Sequence, residues 1–159
     1  MDIIKLVKEK EERVIKIRRD LHQIPELELE LPKTMEYISK VLDEIGVKYK
    51  KLLNGNAIVA QIDGEQEGKC IAIRADSDAL PVVEETGLPF ASTNGNMHAC
   101  GHDGHTAMAL GACMILNENR DKLKGTVKIF FQPGEESPGG ALPMIEEGCM
   151  ENPKVDAVI

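Results

Sequence analysis

Nine consecutive residues, Met97-His98-Ala99-Cys100-Gly101-His102-Asp103-Gly104-His105, carry three of the chain's four histidines and one of its four cysteines. Thiolate, imidazole and carboxylate are the side chains that bind transition metals, and the Cys100-x-His102 spacing on a loop between glycines lets both turn toward one point. The competing reading is a surface loop with ordinary hydrogen-bonding histidines. A C-x-H pair alone is a weak sign, because structural zinc sites carry two paired ligand sets and no second set occurs here.

The second constellation is Phe131-Gln132-Pro133-Gly134-Glu135-Glu136, directly after an apolar run. In open α/β sheets, sites gather at the carboxyl ends of strands. Two successive glutamates in a turn point in divergent directions, so one can hold a metal while its neighbour faces a water. Side-by-side carboxylates repel unless a cation offsets the repulsion, and that suits a metal with a general base beside it. A solvated Glu-Glu pair is the bland alternative, and the flanking glycines, prolines and apolar strand weigh against it. Third, Arg74-Ala75-Asp76-Ser77-Asp78 sets two aspartates beyond another β-favouring run. Ligating histidines commonly donate their other N–H to a carboxylate, so Asp76 and Asp78 could orient a metal-bound imidazole, or simply cap the turn.

Something must hold these loops. Ile3, Val7, Val14, Ile17 and Leu21 follow a 3.6-residue repeat and predict an amphipathic helix. Pro32 opens a second one, with Met35, Ile38, Val41, Leu42 and Ile45 as its stripe and Gly46 as its stop. Ala57 to Ile62 and Cys70 to Ala75 read as strands joined in a hairpin by the turn-rich residues between them. A polar, glycine-rich stretch from Thr86 to Gly104 precedes a buried helix over Thr106 to Leu116. A strand follows at Thr126 to Phe131, a short helix at Gly139 to Glu147 and a strand at Val155 to Ile159. The expected fold class is α/β, a mixed central sheet flanked by helices. The chain stops within an apolar run, which suggests the front part of a longer protein.

With 159 residues the chain suffices for one domain and its core. It carries 19 basic and 27 acidic residues, a net −8, which argues against nucleic acid or an anionic membrane surface as partner. No apolar run is long enough for a membrane span or an export signal. Four scattered cysteines are too few for a disulfide framework and favour a reducing, cytoplasmic setting.

These motifs, together with Arg18-Arg19-Asp20-Leu21-His22-Gln23-Ile24-Pro25-Glu26-Leu27, resemble the amidohydrolase branch of the M20 metallopeptidase family, in order and over nearly the whole chain. That branch includes hippurate hydrolases, auxin-conjugate hydrolases and N-acetyl-diaminopimelate deacetylases. The resemblance implies a zinc-exopeptidase-like catalytic domain, of which residues 1–159 are the N-terminal part, with the lid and dimerisation domain and the C-terminal part absent. It implies hydrolysis of the amide bond of N-acyl amino acids by metal-activated water. Cys100, His102 and Glu136 match metal-ligand positions and Glu135 matches the general base. Two divalent ions, manganese or zinc, are implied for the complete enzyme, whose partner is a small N-acyl amino acid and for which a homo-oligomer is open. Family members carry further histidines beyond this stretch, so the fragment alone is expected to be inactive. Gly134, where the branch more often has alanine, is expected to perturb little. Two rivals stand beside this reading: a truncated non-catalytic domain with an incomplete metal site, and a hydrolase using Cys100 as nucleophile.

Overall fold

The computed structural model describes residues 2–159. Helix α1 spans Ile3–His22, with Asp2 accepting from the Lys5 amide at 3.1 Å as its N-cap. Only the C-terminal half of its expected stripe reaches the core: Ile17 and Leu21 are buried, whereas Ile3 and Val7 are exposed. Helix α2, Pro32–Glu44, has proline in its first turn and buries Met35, Ile38, Val41 and Leu42. Strands β1 (Lys48–Leu52), β2 (Ala57–Asp63) and β3 (Gln66–Asp76) follow, then helix α3 (His102–Glu118) and strand β4 (Lys124–Gln132). A short helix α4 (Ala141–Glu146) and a two-residue strand β5 (Ala157–Val158) complete the order.

The sheet runs β1-β2-β4-β3-β5, antiparallel from β1 to β4 and parallel on the β3 side. It is mixed and covered by helices, as expected, but the hairpin is not there: β4 lies between β2 and β3. The local turn lost to a β3-α3-β4 crossover, which places β4 parallel to β3. β4 is the better neighbour because its carboxyl half, from Lys128 to Gln132, is buried throughout, the pattern of a central strand rather than an edge. Alternation then sorts the two faces. Ile58, Ala60, Ile62, Ile129 and Phe131 pack with α1, α2 and α3, while Ala57, Val59, Ala72 and Phe130 meet Met144, Cys149 and Val155.

Two features bear on the site. β3 and β4 end in register, Asp76 opposite Gln132, so the residues after each strand leave the same carboxyl edge. The helix expected from Thr106 begins four residues earlier, so His102 belongs to α3 while Cys100 stays on the loop before it. Gly101 makes that transition possible with φ +95°, a left-handed backbone that side chains oppose.

Candidate metal centre

The carboxyl edge brings the separate motifs together. One ligand atom each from Cys100, His102 and Glu136 lies within 4.8 Å of the others. His102 is 2% exposed, and its Nδ1 lies 2.9 Å from the Asp78 carbonyl oxygen. A carbonyl only accepts, so this contact puts the ring proton on Nδ1 and leaves the Nε2 lone pair facing the site. Nε2 stands 3.8 Å from Glu136 Oε1 and 3.6 Å from Glu135 Oε2. The two glutamates therefore do not diverge fully; both carboxylates reach the same imidazole edge. Glu135 is the more exposed of the two, with 40% of its side chain open to solvent. The hydrogen bond to Glu136 and its negative charge push the Cys100 thiol above its usual range, with burial adding to the shift.

The two aspartates approach His102 by different routes. Asp78 reaches His102 mainly through its backbone oxygen, while its carboxylate accepts the Glu135 amide on Oδ1 and the Glu136 amide on Oδ2, each at 3.0 Å. One buried residue thus stitches the histidine to the glutamate turn. Asp76 accepts from Arg74 on Oδ2 at 2.8 Å and meets His105 Nδ1 on Oδ1 at 2.6 Å, with His102 Nε2 at 3.7 Å. Asp76, His102 and His105 form a second cluster of ligand-type atoms. The guanidinium on Asp76 already balances that carboxylate and opposes a cation there, so the Cys100 cluster has the better donor set.

The turn that presents the glutamates is built on glycine. Gly139 and Gly140 donate to the Gly134 carbonyl at 3.0 and 3.1 Å, and Gly134 has φ +64°. A Cβ at Gly134 would lie 2.7 Å from Leu29 Cδ2. Glycine is therefore favoured by the backbone at this position, while the Leu29 methyl, the end of a flexible side chain, can give way.

Sequence reasoning passed over a buried polar cluster behind Cys100. His22, Asp103 and the Glu84 side chain are enclosed there, Arg18 joins them, and His98 lies alongside with no hydrogen-bond partner among the described residues on either ring nitrogen. Burial pushes the His98 imidazole down to about 4, which keeps it neutral. The spacing of Arg18 and His22, one turn apart on a single helix face, was the available signal.

Fold and site together define a mixed α/β domain that gathers thiol, imidazole and carboxylates at the ends of adjacent parallel strands. Residues 72–159, more than half of the chain, match Peptidase family M20/M25/M40, and the chain belongs to that family, in its amidohydrolase branch. It is 50% identical over 150 residues to the N-acetyl-L-cysteine deacetylase of Bacillus subtilis (strain 168), covering 94% of this chain and 36% of that protein. It is 45% identical over 148 residues to thermostable carboxypeptidase 1 of Saccharolobus solfataricus, covering 91% of this chain and 38% of that one. Among solved structures, the Bacillus subtilis YXEP protein, a dinuclear metal-binding peptidase of the M20 family, superposes with a TM-score of 0.89 at 44% identity. That match covers 95% of this chain and 42% of the YXEP chain. The chain thus spans about two fifths of the length of the proteins it matches.

Proposed function

We propose that this chain is the metal-binding part of an amidohydrolase that cleaves the amide bond of N-acyl amino acids. The observation that carries the reading is the convergence of Cys100, His102 and Glu136 within 4.8 Å, from segments separated by a whole strand and helix. The donor chemistry fits a divalent cation: a thiol, an imidazole with its Nε2 lone pair free and a carboxylate match the ligand types of zinc, and the carboxylates also suit manganese. Three donors can hold one ion and leave a position open, and they do not saturate two. The similarity to a dinuclear peptidase supports a second ion in the complete protein. Similarity to both a deacetylase and a carboxypeptidase favours an amide whose leaving group is an amino acid.

Bound divalent cations would lower the pKa of a coordinated water and polarise the scissile carbonyl. In this arrangement Glu136 is the ligand, and Glu135, which reaches the same edge with more solvent access, is the general base. Its carboxylate takes a proton from the attacking water and returns it to the leaving amine, a role worth roughly 10²–10⁴ in rate. Asp78 serves both groups, since its carboxylate fixes the backbone of Glu135 and Glu136 while its carbonyl holds the His102 ring.

The test compares Glu135→Gln, Cys100→Ser and His102→Ala in the chain extended to the length of its relatives. Glu135→Gln is expected to keep its metal and lose about 10²-fold or more of its turnover of an N-acetyl amino acid. The other two are expected to lose metal as well as activity. A fully active Glu135→Gln protein would remove Glu135 from the mechanism, and full metal content in the other two would remove the proposed ligands.

A further inference from the structure

The Arg18-to-Leu27 segment has no part in the chemistry above, yet its His22 is 1% exposed and joins three separate pieces of the chain. Nδ1 lies 2.5 Å from Asp103 Oδ2 and Nε2 lies 3.2 Å from Glu84 Oε1. Asp103 is itself 1% exposed, and Arg18 Nε meets the same Oδ2 at 2.9 Å. The other oxygen, Oδ1, accepts the Gly104 amide at 2.8 Å. Beyond Glu84, its Oε2 accepts the Ser92 amide at 2.6 Å, so the loop that runs on to His98 and Cys100 is tied to the same ring. Phe90 of that loop lies edge-on to His22 with centroids 5.8 Å apart, and the Arg18 guanidinium sits 5.4 Å from its ring centroid.

The placement matters because α3 starts without a capping side chain. The Gly101 carbonyl accepts from the Gly104 amide at 2.9 Å and the His105 amide at 3.3 Å, and Asp103 Oδ1 is the side-chain acceptor that joins it on Gly104. His102 sits in that turn, immediately before Asp103. Asp103 is not a further metal ligand in this geometry, since its two oxygens are taken by Gly104, His22 and Arg18 and a guanidinium stands against it.

We propose that His22 is a positioning residue for the metal centre: it holds Asp103, and through Asp103 the first turn of α3, so that His102 Nε2 faces Cys100 and Glu136. The inference rests on the reading of those three residues as metal ligands. It adds a division of labour, in which the Nδ1 contact orients the centre and the Nε2 contact anchors the loop.

Two substitutions separate these contacts. His22→Asn keeps an amide nitrogen near the Nδ1 position and can still donate to Asp103, whereas His22→Gln places its nitrogen near Nε2 and keeps only the Glu84 side. Zinc affinity is read by competition titration and local order by amide hydrogen exchange at Gly104 and His105 in the metal-free chain. His22→Gln is expected to weaken zinc binding about tenfold, the scale on which groups behind a ligand act, and to speed exchange at both amides. His22→Asn is expected to recover most of both. A purely structural His22 would make the two variants alike in zinc affinity and in exchange at these amides, and that result overturns the proposal. Unchanged exchange in His22→Gln overturns it too. Should His22→Gln fail to fold, Asp103→Ala removes the acceptor from the other side of the same contact and must show the same loss of affinity and protection. If the unaltered chain, extended to the length of its relatives, takes up no zinc, the metal reading fails, while the exchange comparison still decides whether His22 holds the turn.

Discussion

Glu84 shows how strongly one side chain can be conditioned by its neighbours. The Thr86 hydroxyl donates to it, burial opposes its charge, and the Ser92 amide and His22 add further donors, so its carboxyl is held down at about 2 against an ordinary 4.5. The unfolded chain therefore binds the proton at higher pH than the folded chain does. Stability from this group is present above pH 4.5 and drains away as the pH falls from 4.5 toward 2. Urea unfolding of the parent chain and of Glu84→Gln is expected to show a gap that narrows through that window. Parallel curves would mean that Glu84 does not sense folding. Two cysteine thiols are raised for different reasons: the hydrogen bond to Glu136 does it at solvent-open Cys100, while burial pushes the Cys113 thiol up to about 12 and leaves it inert.

At the level of elements, the turn from Gln132 to Gly140 decides where the glutamates stand. A Cβ on Gly140 would lie on the Pro133 carbonyl oxygen, so Gly140→Ala must open the turn. Overpacking of this kind costs about 1–3 kcal/mol, small enough to leave the helices and sheet in place. The expected result is a folded protein by far-UV circular dichroism with reduced zinc uptake; undiminished uptake would show that the glutamates do not depend on this turn. The crossover β3-α3-β4 is the other determinant. By laying β4 parallel and in register beside β3, it delivers Asp78 and the glutamate turn to one edge, with His102 at the start of the connecting helix.

Over the whole molecule, Cys100, His102 and Glu136 converge as three candidate donors, too few to saturate two ions. The 159-residue chain is expected to lose its metal on dialysis and to show no deacylase activity. Stoichiometric retention together with turnover would contradict this. Much of the molecule was legible from residue order. The helix stripes, the strands at 57–62, 70–75 and 126–131, the Cys100-x-His102 spacing and the Glu135-Glu136 pair are local patterns, and local patterns survive in one dimension. Strand pairing did not survive, because a hairpin and a crossover differ only in which apolar faces meet after folding. The exposure of Ile3 and Val7, the start of α3 at His102 and the double use of Asp78 were likewise invisible. So was the enclosure of His22 between Asp103 and Glu84, residues 81 and 62 positions away along the chain. Residue types and spacing set out which atoms were available for chemistry. Only packing decided which of them meet, since a buried polar group takes its partner from whatever the fold brings within about 3 Å.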